Sequence, residues 1–236
     1  MHLLAIETTG AHASVALIDE RGRVSLARSQ ETLSHLQNLI PMIGTLLSGH
    51  GLALADLTAI AVSEGPGSFT GIRIGMSTAK ALAQVQDLPV ISVPSLSAFA
   101  LLHREAGGIL CPVLDARRSQ VYAGAYRCQE DGVVLVLVPA AAYDLDEYFR
   151  LLAPLGSDPR EFFFFGDGIP VYQQQIQAWQ EEVRFAPAEG NLQLASSVAR
   201  LALTLHQQGK EQRLFTLQPA HLRKAEAERK LEESRP

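Results

Sequence analysis

A chain of 236 residues, 47% hydrophobic and 19% charged, has material for one large domain or two small ones and is too apolar to stay disordered. Its net charge of −5 supplies no basic field to neutralise phosphates, so any contact with RNA is expected to be made by another protein. Two cysteines, Cys111 and Cys128, are too few for a disulfide framework and lack zinc-like spacing, which points to buried thiols in a reducing compartment.

The chain opens on an apolar run, Leu3 to Ile6, that meets an acid at Glu7 and has no basic segment before it, so it reads as a strand and not as a signal peptide. Thr8-Thr9-Gly10 turns, Ala13 to Ile18 is a second strand, Glu20-Arg21-Gly22 turns again, and Val24 to Ala27 completes a meander. A helix is predicted from an N-cap at Ser34 to about Leu47, then a strand over Thr58 to Ser63 and a loop at Gly65-Pro66-Gly67-Ser68. A second helix follows over Thr70 to Val85, a strand over Pro89 to Val93, and a helix capped by Ser95 that runs to His103.

The pattern then restarts. Leu110 to Leu114 ends at Asp115, Ala116-Arg117-Arg118-Ser119 turns, Val121 to Tyr126 alternates, Glu130-Asp131-Gly132 turns, and Val133 to Val138 is a third strand. Phe162 to Phe165 is a strand, Gly168 to Trp179 and Leu192 to Gln207 are helical, and the Lys/Arg/Glu-rich tail from Arg223 to Pro236 reads as solvated and partly helical. The longest apolar stretch, Val133 to Ala142, is broken by Pro139 and too short to span a bilayer, so a cytoplasmic protein without membrane contact is expected. A three-strand meander with an acid at its first strand end, followed by helix and strand material, occurring twice, is the pattern of a duplicated ribonuclease-H-like unit. The predicted fold is therefore α/β of the actin/Hsp70/sugar-kinase type. Its expected parts are a domain over residues 1–106, a second over 107–214 and a tail over 215–236.

In that architecture the two meander turns hold phosphates through backbone N–H groups and a metal-bound water through a carboxylate. The residues placed to do so are Glu7, Thr8 and Thr9 in the first turn and Asp115 and Arg117 in the second. The second turn has no glycine to let backbone approach an anion, and its arginines offer guanidinium groups instead. Nucleotide binding is expected to be weak and hydrolysis absent. The Gly65–Gly75 stretch is no Walker motif, because its nearest lysine, Lys80, lies well inside the helix. The seven histidines include no His-x-x-x-His pair, so neither a metal site nor a cofactor is expected.

Two features point to a partner instead. Gly71, Gly75, Ala79 and Ala83 recur every four residues along the second helix and form a smooth stripe, suited either to packing within the chain or to a seam with another protein. In the first helix, Leu36, Leu39, Ile40, Ile43 and Leu47 form a core-facing stripe, while Met42 and Leu46 point elsewhere around Pro41. The predicted partner face comprises Leu36, Leu39, Ile40, Met42, Ile43 and Leu46 on the first helix and Gly71, Ile72, Gly75, Met76 and Ala79 on the second.

Taken in order, Ile6-Glu7-Thr8-Thr9, the helix after Ser34-His35, Gly65-Pro66-Gly67-Ser68-Phe69-Thr70-Gly71-Ile72-Arg73-Ile74-Gly75, Ser92-Val93-Pro94-Ser95-Leu96 and Asp115-Ala116-Arg117 resemble the bacterial TsaB family, formerly YeaZ. The resemblance implies a non-catalytic paralogue of TsaD, the subunit that carries the metal and transfers threonylcarbamoyl to adenosine beside the anticodon of ANN-reading tRNAs. It implies pairing with a TsaD-type protein through the N-terminal helices, a TsaE-type ATPase joining the assembly, only indirect contact with tRNA, and a homodimer when the partner is absent. The two metal-binding histidines of TsaD-like proteins fall at Ser95 and Phe99 here, and Glu7 stands where the family more usually has Asp. Two enzyme readings stand beside this one: a metallopeptidase, which would need a ligand pair, and an ATP-dependent kinase or ATPase using Glu7 and Asp115.

Overall fold

The computed structural model describes residues 1–31, 35–130 and 132–220, with the side chains of His35 and Leu36 outside that description. The N-cap expected at Ser34 and the tail expected over Arg223–Pro236 lie outside the described residues. Two five-stranded sheets repeat one plan. In the first, β1 (His2–Glu7), β2 (Ser14–Asp19) and β3 (Val24–Arg28) form the antiparallel meander, and β4 (Ala59–Gly65) and β5 (Val90–Pro94) continue parallel to β1, in the order β3-β2-β1-β4-β5. In the second, β6 (Ile109–Asp115), β7 (Gln120–Cys128) and β8 (Val134–Asp144) are antiparallel, and β9 (Phe162–Phe165) and β10 (Arg184–Phe185) run parallel to β6, in the order β10-β9-β6-β7-β8.

Parallel neighbours need a crossover, and a helix supplies each. Helix α1 (His35–Gly49) links β3 to β4, α2 (Phe69–Gln86) links β4 to β5, and α3 (Ser95–Leu102) follows β5. Their counterparts are α4 (Leu145–Leu152), α5 (Ile169–Trp179) and α6 (Ala195–Gln207). The order βββαβαβα thus occurs twice, and the actin/Hsp70/sugar-kinase expectation holds. Helix α4 and the two-residue β10 were not foreseen, β8 runs to Asp144 instead of ending at Val138, and α6 starts at Ala195 instead of Leu192. Ser95 is the first residue of α3 and not its cap; its Oγ accepts the Gly65 N–H at 3.1 Å.

The two halves are laced together by their last helices. One face of the first sheet, with Leu3, Ala5, Ala16 and Ile18, is covered by Ala195, Val198, Ala199 and Ala202 of α6. Leu96, Phe99 and Ala100 of α3 pack against Leu110, Leu114, Tyr126 and Phe165 of the second sheet, with the Phe99 and Phe165 rings edge-on at 4.7 Å. Leu217, beyond the expected 107–214 domain, is buried in the core formed by the first sheet's other face with α1 and α2. The elements of the expected second domain therefore do not all stay on the second sheet. A fragment of residues 1–106 lacks α6, and each large aliphatic side chain left in water forfeits about 1.5–3 kcal/mol. Such a fragment is expected to give an amide spectrum without dispersion; a dispersed, folded spectrum would contradict this packing.

Candidate functional site

The first meander turn is filled by the chain itself. Glu7, Thr8 and Thr9 are 1%, 1% and 3% exposed. Glu7 Oε1 accepts the Thr9 N–H and lies 2.5 Å from Thr9 Oγ1, and Oε2 accepts from Ser63 Oγ. Thr9 Oγ1 also lies 2.9 Å from the Gln193 amide, and one hydroxyl proton cannot serve two acceptors. The atom facing Thr9 is Gln193 Oε1, while Nε2 is buried without a partner among the described residues; turning the amide over lets the hydroxyl accept from Gln193 and donate to Glu7. The Gln193 side chain lies against Gly10, close enough that a β-carbon there would come within 3.1 Å of it. The expected nucleotide-facing role of Glu7, Thr8 and Thr9 is thereby corrected: their polar atoms are spent inside the protein, and Gln193 sits over the turn.

Burial raises the Glu7 carboxyl above its ordinary value of 4.5, against the opposing hydrogen bonds from Ser63 and Thr9. A carboxyl with a raised folded pKa binds more protons folded than unfolded. Its contribution is therefore favourable at low pH and is lost as pH rises above about 4.5 towards the folded value. Glu7→Gln keeps an acceptor for Thr9 and gains a donor for Ser63. Relative to wild type, its stability is expected to improve as pH rises above about 4.5 in urea titrations; a pH-independent difference would contradict the assigned shift.

The Gly65–Gly75 stretch is a mould around this turn. Ser68 caps α2 by accepting the Gly71 N–H at 3.2 Å and donates its own N–H to Thr9 O at 2.8 Å, and Thr8 Oγ1 donates to Gly71 O at 2.8 Å. A β-carbon on Gly71 would fall 1.9 Å from Thr8 O, and one on Gly75 would fall 2.3 Å from Thr8 Oγ1. The small-residue stripe therefore faces the chain's own β1 turn. Gly71, Ile72, Gly75, Met76 and Ala79 are all buried, which removes them from the partner face.

The second turn is open. Arg117, Arg118 and Ser119 take φ of 66°, 57° and 59°, a left-handed run that costs side-chain-bearing residues about 1–2 kcal/mol each. Asp115 Oδ1 accepts the Arg117 N–H at 2.8 Å and the Tyr172 hydroxyl at 3.2 Å, while Asp167 Oδ1 accepts the Asp115 N–H at 3.1 Å. The Arg117 side chain, 86% exposed, reaches back to Asp115 Oδ2 at 3.2 Å. Of the expected nucleotide-facing set, only Asp115 and Arg117 have access to solvent, and they are paired with each other. Ser95 and Phe99, each 1% exposed, face inward one turn apart on α3. No three metal-ligating side chains converge among the described residues.

Helices α1 and α2 cover the other face of the first sheet. Leu39, Ile43, Leu46 and Leu47 of α1 are buried at i, i+4, i+7 and i+8, and Met42 packs partly against the same core. Leu39, Met42, Ile43 and Leu46 thus face inward, correcting their assignment to a partner surface; Leu36 lies outside the described side chains. Ile40, expected in the core stripe, is 54% exposed. On α2 the outward positions are Phe69, Thr70, Arg73, Ser77, Ala81, Gln84, Val85 and Gln86, with Phe69 46% and Val85 72% exposed. Sequence reasoning missed Gln193, which no local pattern announces. It also missed Phe69 and Arg73, whose i, i+4 spacing opposite the glycine stripe could have revealed them.

Two ribonuclease-H-like halves joined by exchanged helices make this an α/β protein of the actin/Hsp70/sugar-kinase class. Residues 30–231 match the family described as "TsaD: tRNA N6-adenosine threonylcarbamoyltransferase". The tRNA threonylcarbamoyladenosine biosynthesis protein TsaB of Bacillus subtilis (strain 168) is 33% identical over 177 residues, 75% of this chain and 76% of that one. The protein of the same name in Escherichia coli (strain K12) is 36% identical over 135 residues, a match spanning 56% of this chain and 58% of the relative. The solved structure of YeaZ from Pseudomonas aeruginosa superimposes with a TM-score of 0.81 at 29% identity, covering 93% of this chain and 99% of that one. The chain belongs to the TsaB (YeaZ) family, whose members are named for tRNA threonylcarbamoyladenosine biosynthesis.

Proposed function

We propose that this chain is a non-catalytic subunit of the assembly that transfers threonylcarbamoyl to the N6 amine of the adenosine beside the anticodon in ANN-reading tRNAs. It docks on a TsaD-type paralogue through the outer side of α1 and α2. A TsaE-type ATPase joins the pair, tRNA is touched only indirectly, and a second copy takes the paralogue's place when that protein is missing.

The observation that carries this reading is the character of α1. Over 15 residues, HLQNLIPMIGTLLSG, it has no Asp, Glu, Lys or Arg, and its outward side presents Ile40 with Gln37, Pro41, Gly44 and Thr45. A helix meant for permanent solvation ordinarily carries charge on its outer side. The filled first turn adds support, because the polar side-chain atoms of Glu7 and Thr9 are hydrogen-bonded within the protein and Gln193 lies against Gly10. Depletion of the protein with mass spectrometry of tRNA nucleosides is expected to lower threonylcarbamoyladenosine; an unchanged level rejects the proposal. Calorimetry of the isolated chain with Mg-ATP is expected to give no turnover heat, and sustained heat would favour the ATPase reading instead.

A further inference from the structure

We infer that the outer face of α1 and α2 is built for a partner that brings a carboxylate to Arg73, an inference that rests on the docking reading above and specifies its chemistry. The Arg73 guanidinium carbon lies 4.1 Å from the centroid of the Phe69 ring one turn earlier on α2. Both residues are exposed, and among the described residues no carboxylate reaches the guanidinium. Stacking on a phenyl ring restrains a long side chain before any partner arrives and leaves the planar fork of N–H donors free. That fork matches a carboxylate in a two-point hydrogen bond.

The surroundings make this more than a solvated arginine. The protein is acidic overall, at −5, yet α1 carries no Asp, Glu, Lys or Arg and α2 carries only Arg73 and Lys80. The pair of helices is thus a cationic island on an anionic protein, with exposed Ile40 and Phe69 to displace water around the contact. A second copy brings the same face, with two cations and no carboxylate on its helices, so self-pairing sets like charges in one seam and leaves Arg73 without an acceptor. An acid-bearing heterologous helix satisfies it. The charge pattern therefore favours the paralogue over a second copy of this chain.

The test uses the full chain and the TsaD-type paralogue. Arg73→Glu is expected to weaken their association by about 30-fold or more, with Arg73→Met weakened to a lesser degree and the melting temperature of both variants unchanged. Lysine substitutions at the paralogue's exposed Asp and Glu residues are then screened against Arg73→Glu, and one is expected to restore binding. Self-association of Arg73→Glu is expected to be no weaker than that of wild type. If wild type binds the paralogue and both Arg73 variants bind equally well, or if no lysine restores binding, the carboxylate inference is overturned while the docking reading stands. If the wild-type chain itself fails to bind, both are overturned.

Discussion

Gly71→Ala lowers stability by about 3 kcal/mol, measured by urea denaturation of the isolated chain. Two effects oppose each other at this position. Alanine gains about 1 kcal/mol over glycine in a helix interior, so on propensity alone the substitution stabilises. Its β-carbon, however, would lie 1.9 Å from the Thr8 carbonyl oxygen, which is backbone and cannot swing aside. To relieve that contact α2 must lift from β1. This disturbs the Thr8 Oγ1 bond to Gly71 O at 2.8 Å and the Ser68 N–H bond to Thr9 O at 2.8 Å together. The clash outweighs the propensity. At Gly75 the obstacle is the Thr8 hydroxyl, a side-chain atom at 2.3 Å that can rotate, so Gly75→Ala is expected to cost less than Gly71→Ala. A Gly71→Ala variant within 0.5 kcal/mol of wild type would show that the stripe is not the mould it is taken to be.

Ile40→Glu has the opposite profile. With the side chain 54% exposed and outside the buried stripe, the fold is expected to change by no more than about 0.5 kcal/mol. Association with the TsaD-type paralogue is expected to fall at least about 100-fold, because a central apolar anchor is lost and the new carboxylate competes with the partner's for the cations of this face. Isothermal titration against the purified paralogue reads the effect directly. Unaltered affinity would move the docking surface away from α1. The pair of variants separates roles that share one helical layer: Gly71 is expected to serve the fold, and Ile40 the proposed docking face.

The elements most legible in the sequence are those whose apolar runs are bounded by turn residues. Leu3–Ile6, Thr58–Ser63 and Phe162–Phe165 lie within or overlap their strands, and the predicted α2 over Thr70–Val85 falls one residue short at each end of Phe69–Gln86. Helix α4 was hidden because it follows directly on the long apolar β8, which ends at Asp144, although Leu145, Tyr148, Phe149 and Leu152 have helical spacing. The site was harder. Periodicity placed Gly71, Gly75, Ala79 and Ala83 on one face of α2, but spacing cannot say whether such a face meets another molecule or the chain's own Thr8. On α1 the apolar set was legible, and its rotation was not. Ile40 and Leu46 exchanged places, since more apolar residues were available than one stripe can bury. The covering of the first turn by Gln193 and of the first sheet by α6 joins residues far apart in sequence, and nothing local to either segment encodes where it packs.

The level of threonylcarbamoyladenosine in tRNA from cells whose only copy carries either Ile40→Glu on the outer face or Glu7→Gln beside the first turn is the most direct measurement. Both variants are expected to fold, so the comparison isolates which surface works. Loss of the modified nucleoside with Ile40→Glu and its retention with Glu7→Gln is the predicted result. Retention with Ile40→Glu and loss with Glu7→Gln would place the activity at the first turn and contradict the reading of this chain as a docking subunit.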